Sequence, residues 1–136
     1  MRISLPNIEI VSETGTIPDV PVLQIKNHIL GKKFELSLIF IGPTKALELN
    51  KKYRDKDYVP NVLTFPLSDT EGEIYICKSV ARKQYHDFDM SYEKYLVLLV
   101  VHGILHLKGH AHSSTMEEEE IKFLNKLYLN KNARKK

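Results

Sequence analysis

Three histidines, His102, His106 and His112, stand at His-x-x-x-His-x-x-x-x-x-His spacing in the run VHGILHLKGHAH, which spans Val101 to His112. Imidazole nitrogens bind zinc at about 2.0–2.1 Å, and this spacing suits one ion. The run from Tyr92 to Lys108 reads as a helix, on which residues four apart have Cβ atoms about 5–6 Å apart. His102 and His106 can therefore face a single ion. Gly109 is the expected stop, because glycine accepts the left-handed conformation that ends helices. Once the chain turns there, His112 can approach the same ion. His110 would be the third ligand if the helix ran through Gly109, but the glycine favours His112. Three protein ligands leave a fourth tetrahedral position open, as in catalytic zinc sites. One histidine on such a helix would read as an ordinary core residue, whereas three beside a glycine point to one Zn²⁺.

The spacing is that of the metzincin proteases, except that Gly103 stands where those enzymes have the glutamate that serves as general base. Glycine cannot take a proton. Peptidase chemistry is disfavoured while the metal frame stays intact.

HGILHLKGHAH resembles the His-Gly-x-Leu-His-Leu-x-Gly-Tyr-Asp-His signature of the YbeY family of bacterial metal-dependent endoribonucleases and ribosomal RNA maturation factors, with His110 and Ala111 in place of tyrosine and aspartate. LNKKYRDKDYVPNVLTFPL is similar to a second segment of that family and puts Arg54 on its functional arginine. Asp57, Asn61 and Phe65 match as well, while Val59 and Pro60 replace the usual proline and threonine. GEIYICKSVARKQ is similar to a third segment, so the resemblance covers roughly residues 44 to 112.

The resemblance implies a single-strand-specific, zinc-dependent endoribonuclease acting in maturation of the 3′ end of small-subunit ribosomal RNA and in ribosome quality control. Its partners would be ribosomal RNA and the small ribosomal subunit. His102, His106 and His112 would hold Zn²⁺, whose charge can activate water or polarise a phosphoryl oxygen. Arg54 would bind the scissile phosphate with its planar, permanently charged fork. Without the resemblance, Arg54 would read as an ordinary arginine at a helix end. Lys51, Lys52 and Lys56 could follow the RNA backbone, or could simply be a solvated helix end that favours the dipole. With no carboxylate beside the first histidine, either the activated water needs no base or the RNA 2′-hydroxyl is the nucleophile. Two other classes stay open. One is a non-catalytic ribosome-associated RNA-binding module whose structural zinc is closed by a fourth ligand such as His110, and the other is a metallohydrolase of a non-RNA substrate.

These residues need a scaffold. Ile3 to Val11 reads as a strand, Asp19 as the cap of a first helix running to Gly31, and Phe34 to Ile41 as a central strand covered on both faces. A strand, a helix and a strand in this order imply a parallel crossover. Thr44 is the expected cap of a second helix ending near Tyr53. Asn61 to Phe65, ended by Pro66, and Glu73 to Cys77 read as a hairpin with a longish loop. Lys78 to Tyr85 has helical composition, His86 to Ser91 reads as loop, and Ser91 caps the histidine helix. Leu96 to Val101 is apolar all round, which makes this helix the buried one. Ser114 and Glu117 have capping-box spacing before a last amphipathic helix, with Glu117 to Glu120 in its first turn, where anions favour the dipole, a reading preferred to an acidic metal site. The fold class is thus α+β, a mixed four-stranded sheet with helices on both faces and a central histidine-bearing helix.

A chain of 136 residues suits one domain, over about residues 1–130, with 131–136 a basic tail expected to be disordered. Its single cysteine, Cys77, excludes an intrachain disulfide framework and reads as a small buried hydrophobe. A net charge of +3 is compatible with a polyanionic partner without requiring one. No secretory signal or membrane-spanning run is legible, and a cytoplasmic location is expected.

Overall fold

The computed structural model describes residues 1–109, 118–120, 122, 123, 125 and 126. The N-terminal run, expected as one strand, folds back on itself. Pro6 is held at a φ of about −65°, and Asn7 takes φ 64°, which together make a tight turn. β1 (Arg2–Leu5) and β2 (Ile8–Ser12) therefore pair antiparallel, with Leu5 opposite Ile8. β3 (Glu35–Ile41), β4 (Val62–Ser68) and β5 (Glu71–Cys77) complete a mixed sheet of five strands, not four, in the order β1-β2-β3-β5-β4. β3 is parallel to both of its neighbours, and the outer pairs are antiparallel. Leu36, Leu38 and Phe40 are buried on one face of β3, Ile39 and Ile41 on the other, which explains its nearly unbroken apolar run.

The crossover helix α1 (Val22–Ile29) starts later than Asp19 would place it. Pro21 bars Val20 from helical conformation, and Pro21 itself is the N-cap with no side-chain cap bond. α2 (Pro43–Arg54) likewise begins on a proline at its first position, with Gly42 and not Thr44 at the cap. β4 runs past Pro66, which is tolerated because β4 is an outer strand; the pairing is irregular between Pro66 and Ser68. The β4–β5 connection is a tight turn at Asp69 and Thr70, not a long loop. α3 (Lys78–Gln84) continues into a 3-10 turn, Tyr85–Phe88, where a loop is expected.

α4 (Tyr92–Leu107) is the histidine helix, capped by Ser91, whose hydroxyl accepts from the Lys94 amide at 3.1 Å. It packs against β4, β5, α1 and α3. Leu96, Val100, Val101 and Ile104 are at most 1% exposed, each burial stabilising by about 1.5–3 kcal/mol. Gly103 makes this seating possible. A Cβ there would lie 3.0 Å from two carbons of Ile74 and 3.3 Å from Thr64 Cγ2. Gly109, at φ 106°, ends the helix as expected, its amide donating to the His106 carbonyl at 3.0 Å.

Residues 118–120, 122, 123, 125 and 126 are helical. His110, His112, the Ser114–Glu117 capping pair and the tail lie outside the described residues. No helix among the described residues is long and apolar enough to cross a membrane. Cys77 is buried and unpaired in any disulfide, in line with its reading as a core residue.

Candidate active site

His102 and His106 lie one turn apart on α4, and their Nε2 atoms converge to 3.1 Å. Two imidazoles sharing a tetrahedral zinc, each at about 2.0–2.1 Å, would place their nitrogens about 3.3 Å apart. The other ring nitrogen of His102, Nδ1, hydrogen-bonds the carboxylate of Glu120. Donation from Nδ1 leaves the Nε2 lone pair aimed at His106, so a proton or a cation between the two rings is required. The donor set fits a metal ion. His112 lies outside the described residues, among which no group of three or more His, Cys, Asp or Glu is placed to hold a metal.

Glu120 is 8% exposed, and sequence reasoning does not single it out from its acidic block. Within the block Glu117 to Glu120 all four carboxylates satisfy the helix-dipole reading equally. Only the packing of the last helical stretch against α4 selects the one that reaches His102.

The histidines open onto a cleft of ≈ 400 Å³ lined by Arg54, Asn61, Val62, Leu63, Thr64, His102 and His106. Side chains alternate faces along a strand, so three consecutive lining residues, Val62 to Thr64, mean that the cleft follows the free edge of β4. Arg54 comes from the α2 side of that edge and the histidines from the α4 side. It is the last residue of α2, where Asp55 turns the chain at φ 53°. Buried Asn50 secures the turn: its carbonyl accepts from the Lys56 amide at 3.2 Å and its Nδ2 donates to the Tyr58 carbonyl at 2.9 Å. Among the described residues Lys51, Lys52 and Lys56 do not line this cleft. Lys51 forms an exposed pair with Asp57, and Lys52 lies 5.2 Å from the centre of the Tyr53 ring.

A family model described as Endoribonuclease YbeY matches residues 16–133. The chain belongs to the YbeY family. The endoribonucleases YbeY of Staphylococcus aureus strains JH9 and Newman are each 32% identical, with 84% of this chain and 88% of the relative covered. The solution structure of TM1509 from Thermotoga maritima superimposes with a TM-score of 0.62 at 29% identity, covering 93% of each chain. The three YbeY-like segments of the sequence become the α2 end with its turn and β4, then β5 with α3, and then the α4 terminus. The first and third supply the lining of the cleft, and Gln84 of the second holds Asn61 there.

In this YbeY-family chain Asn61 is held at the cleft by a partly buried polar triangle. Its Nδ2 donates to Gln84 Oε1 at 3.1 Å and approaches the Tyr95 hydroxyl at 3.4 Å, while that hydroxyl donates to the same Gln84 oxygen at 3.0 Å. Burial holds the Tyr95 phenol above its ordinary pKa, the Asp87 charge adding to this and the Asn61 hydrogen bond opposing it. The phenol therefore stays neutral and able to donate. Gly103, in contrast, packs against Ile74 and Thr64 of the sheet and has no side chain to offer the cleft as a proton acceptor.

Proposed function

We propose that this protein is a single-strand-specific, zinc-dependent endoribonuclease that matures the 3′ end of small-subunit ribosomal RNA and serves ribosome quality control in the cytoplasm. The observation that carries the reading is the pairing, across the free edge of one strand, of a guanidinium with two convergent imidazoles. His102, His106 and, by the motif, His112 would hold Zn²⁺, which when bound supplies Lewis acidity toward a phosphoryl oxygen.

The chain's own groups do the rest. Arg54, exposed at its helix end, can accept a phosphate in two parallel hydrogen bonds and stays charged throughout. Glu120 fixes the tautomer and orientation of His102. Asn61, already anchored through Nδ2, can present its amide oxygen to a ribose or base. A cleft of ≈ 400 Å³ is within the size range of small-ligand pockets, room for part of a single strand. No carboxylate lines it among the described residues, which favours a nucleophile that needs no protein base at the first histidine.

The test is cleavage of an end-labelled, partly single-stranded ribosomal RNA fragment by zinc-loaded native protein and by His106→Ala purified identically. Cleavage by the native protein alone is expected. Equal cleavage, or none with either, would overturn the reading in favour of a ribosome-associated module with structural zinc.

A further inference from the structure

A second pocket, of ≈ 350 Å³, lies on another flank of α4, between the end of α1 and the last helical stretch. Among the described residues Lys108, Lys122 and Lys126 line it with Glu119 as the one acid, and His28 and Phe123 form its ring-bearing wall, their centroids 5.1 Å apart. None of the three ammonium groups is ion-paired with a described residue. Three lysines against one glutamate leave a surplus of two positive charges. Lys122 and Lys126 are also four residues apart on a helix, a like-charge spacing that is destabilising unless an anion relieves it.

We infer that this pocket seats a nucleotide of single-stranded RNA, its phosphates on the three lysines and its base against His28 and Phe123. Lysines that track the backbone beside rings that take a base are the two elements of sequence-tolerant single-strand binding. The inference rests on the reading that the protein acts on RNA, and it adds where the strand goes beyond the cleft. Helical geometry places Lys108 about 160° around α4 from His106, across a helix about 10–12 Å wide. The nucleotide in the pocket is therefore a flanking one, not the one being cut.

The experiment measures anisotropy of a fluorescent, roughly 12-nucleotide, 2′-O-methylated single-stranded RNA against salt, with zinc-loaded native protein and Lys122→Glu/Lys126→Glu. Both lysines are exposed, so the fold should survive, and a melting curve checks it. Lys45→Glu/Lys83→Glu carries the same charge change on α2 and α3. The pocket variant should bind about tenfold or more weakly, with a log–log salt slope shallower by about 1.4 for two lost phosphate contacts. The control should stay within about twofold of the native protein, consistent with phosphate contacts local to the pocket. Equal weakening in both variants, unchanged binding in both, or no binding by the native protein overturns the inference. Cleavage of unmodified RNA is scored separately. Binding through the pocket without cleavage removes the endoribonuclease reading alone, and intact cleavage with unchanged binding removes the pocket alone.

Discussion

His102 Nδ1 hydrogen-bonds Glu120, so an acid eighteen residues along the chain sets the direction of the ring nitrogen that faces the cleft. Glu120→Gln keeps the shape but weakens the acceptor and removes its charge. Zinc affinity, measured by competition with a chelator, should fall about tenfold to a hundredfold. Unchanged affinity would mean that the carboxylate only ties the last helical stretch to α4.

Arg54 lies across the β4 edge from the histidines. Arg54→Ala should lower RNA cleavage by about a hundredfold or more, on the scale seen when one charge-stabilising donor is removed, with zinc content unchanged. Loss of zinc from that variant would move Arg54 to a structural role.

The end groups of the RNA products discriminate between nucleophiles. With glycine at position 103, where a metzincin has its base, a cyclic 2′,3′-phosphate product identifies the 2′-hydroxyl, and a product formed without any cyclic intermediate identifies water. Mass spectrometry of short products reads this directly.

Gly103→Ala brings a methyl group to 3.0 Å from Ile74, a residue 0% exposed in the sheet interior. Overpacking costs about 1–3 kcal/mol, against a helix-propensity gain of about 1 kcal/mol. A net loss and a melting temperature lower by several degrees are expected. Gly72→Ala meets only the end of the partly exposed Leu107 side chain and should cost less.

Tyr95 gives a pH test. Its folded pKa is raised above 10.0, so its contribution is complete below that pH and is lost as pH rises from there through the folded value. Above 10.0 the unfolded phenol ionises first, the native state holds more protons, and stability falls. Buried Lys26, with its pKa lowered by desolvation, has the opposite slope below 10.5. The difference between native protein and Tyr95→Phe isolates the phenol. Melting temperatures should converge as pH rises above 10, and parallel curves would show that the hydroxyl is not titrating there.

Much of this was legible in residue order. The alternation of Ile8 and Ile10 in β2, the solid apolar run of β3, the Ser91 cap and the Gly109 stop each reflect a local rule that tertiary packing did not override. The extra strand has only Pro6 and Asn7 as its signal, a turn pair inside an otherwise continuous strand pattern. The starts of α1 and α2 shifted because a proline outranked a nearby hydroxyl or carboxylate. At the site, His102 and His106 were set by helical period alone, and Arg54 needed the family motif. Glu120 had no local signature, since its role comes from the packing of one helical stretch against another.

The cleft runs along the outermost strand of the sheet, and that position governs which bonds can be cut. A groove following a margin does not gauge the distance to a chain terminus, as a blind tunnel would. Covalently closed RNA rings of the right sequence should therefore be opened as readily as linear strands. Free 5′ or 3′ ends should confer no advantage.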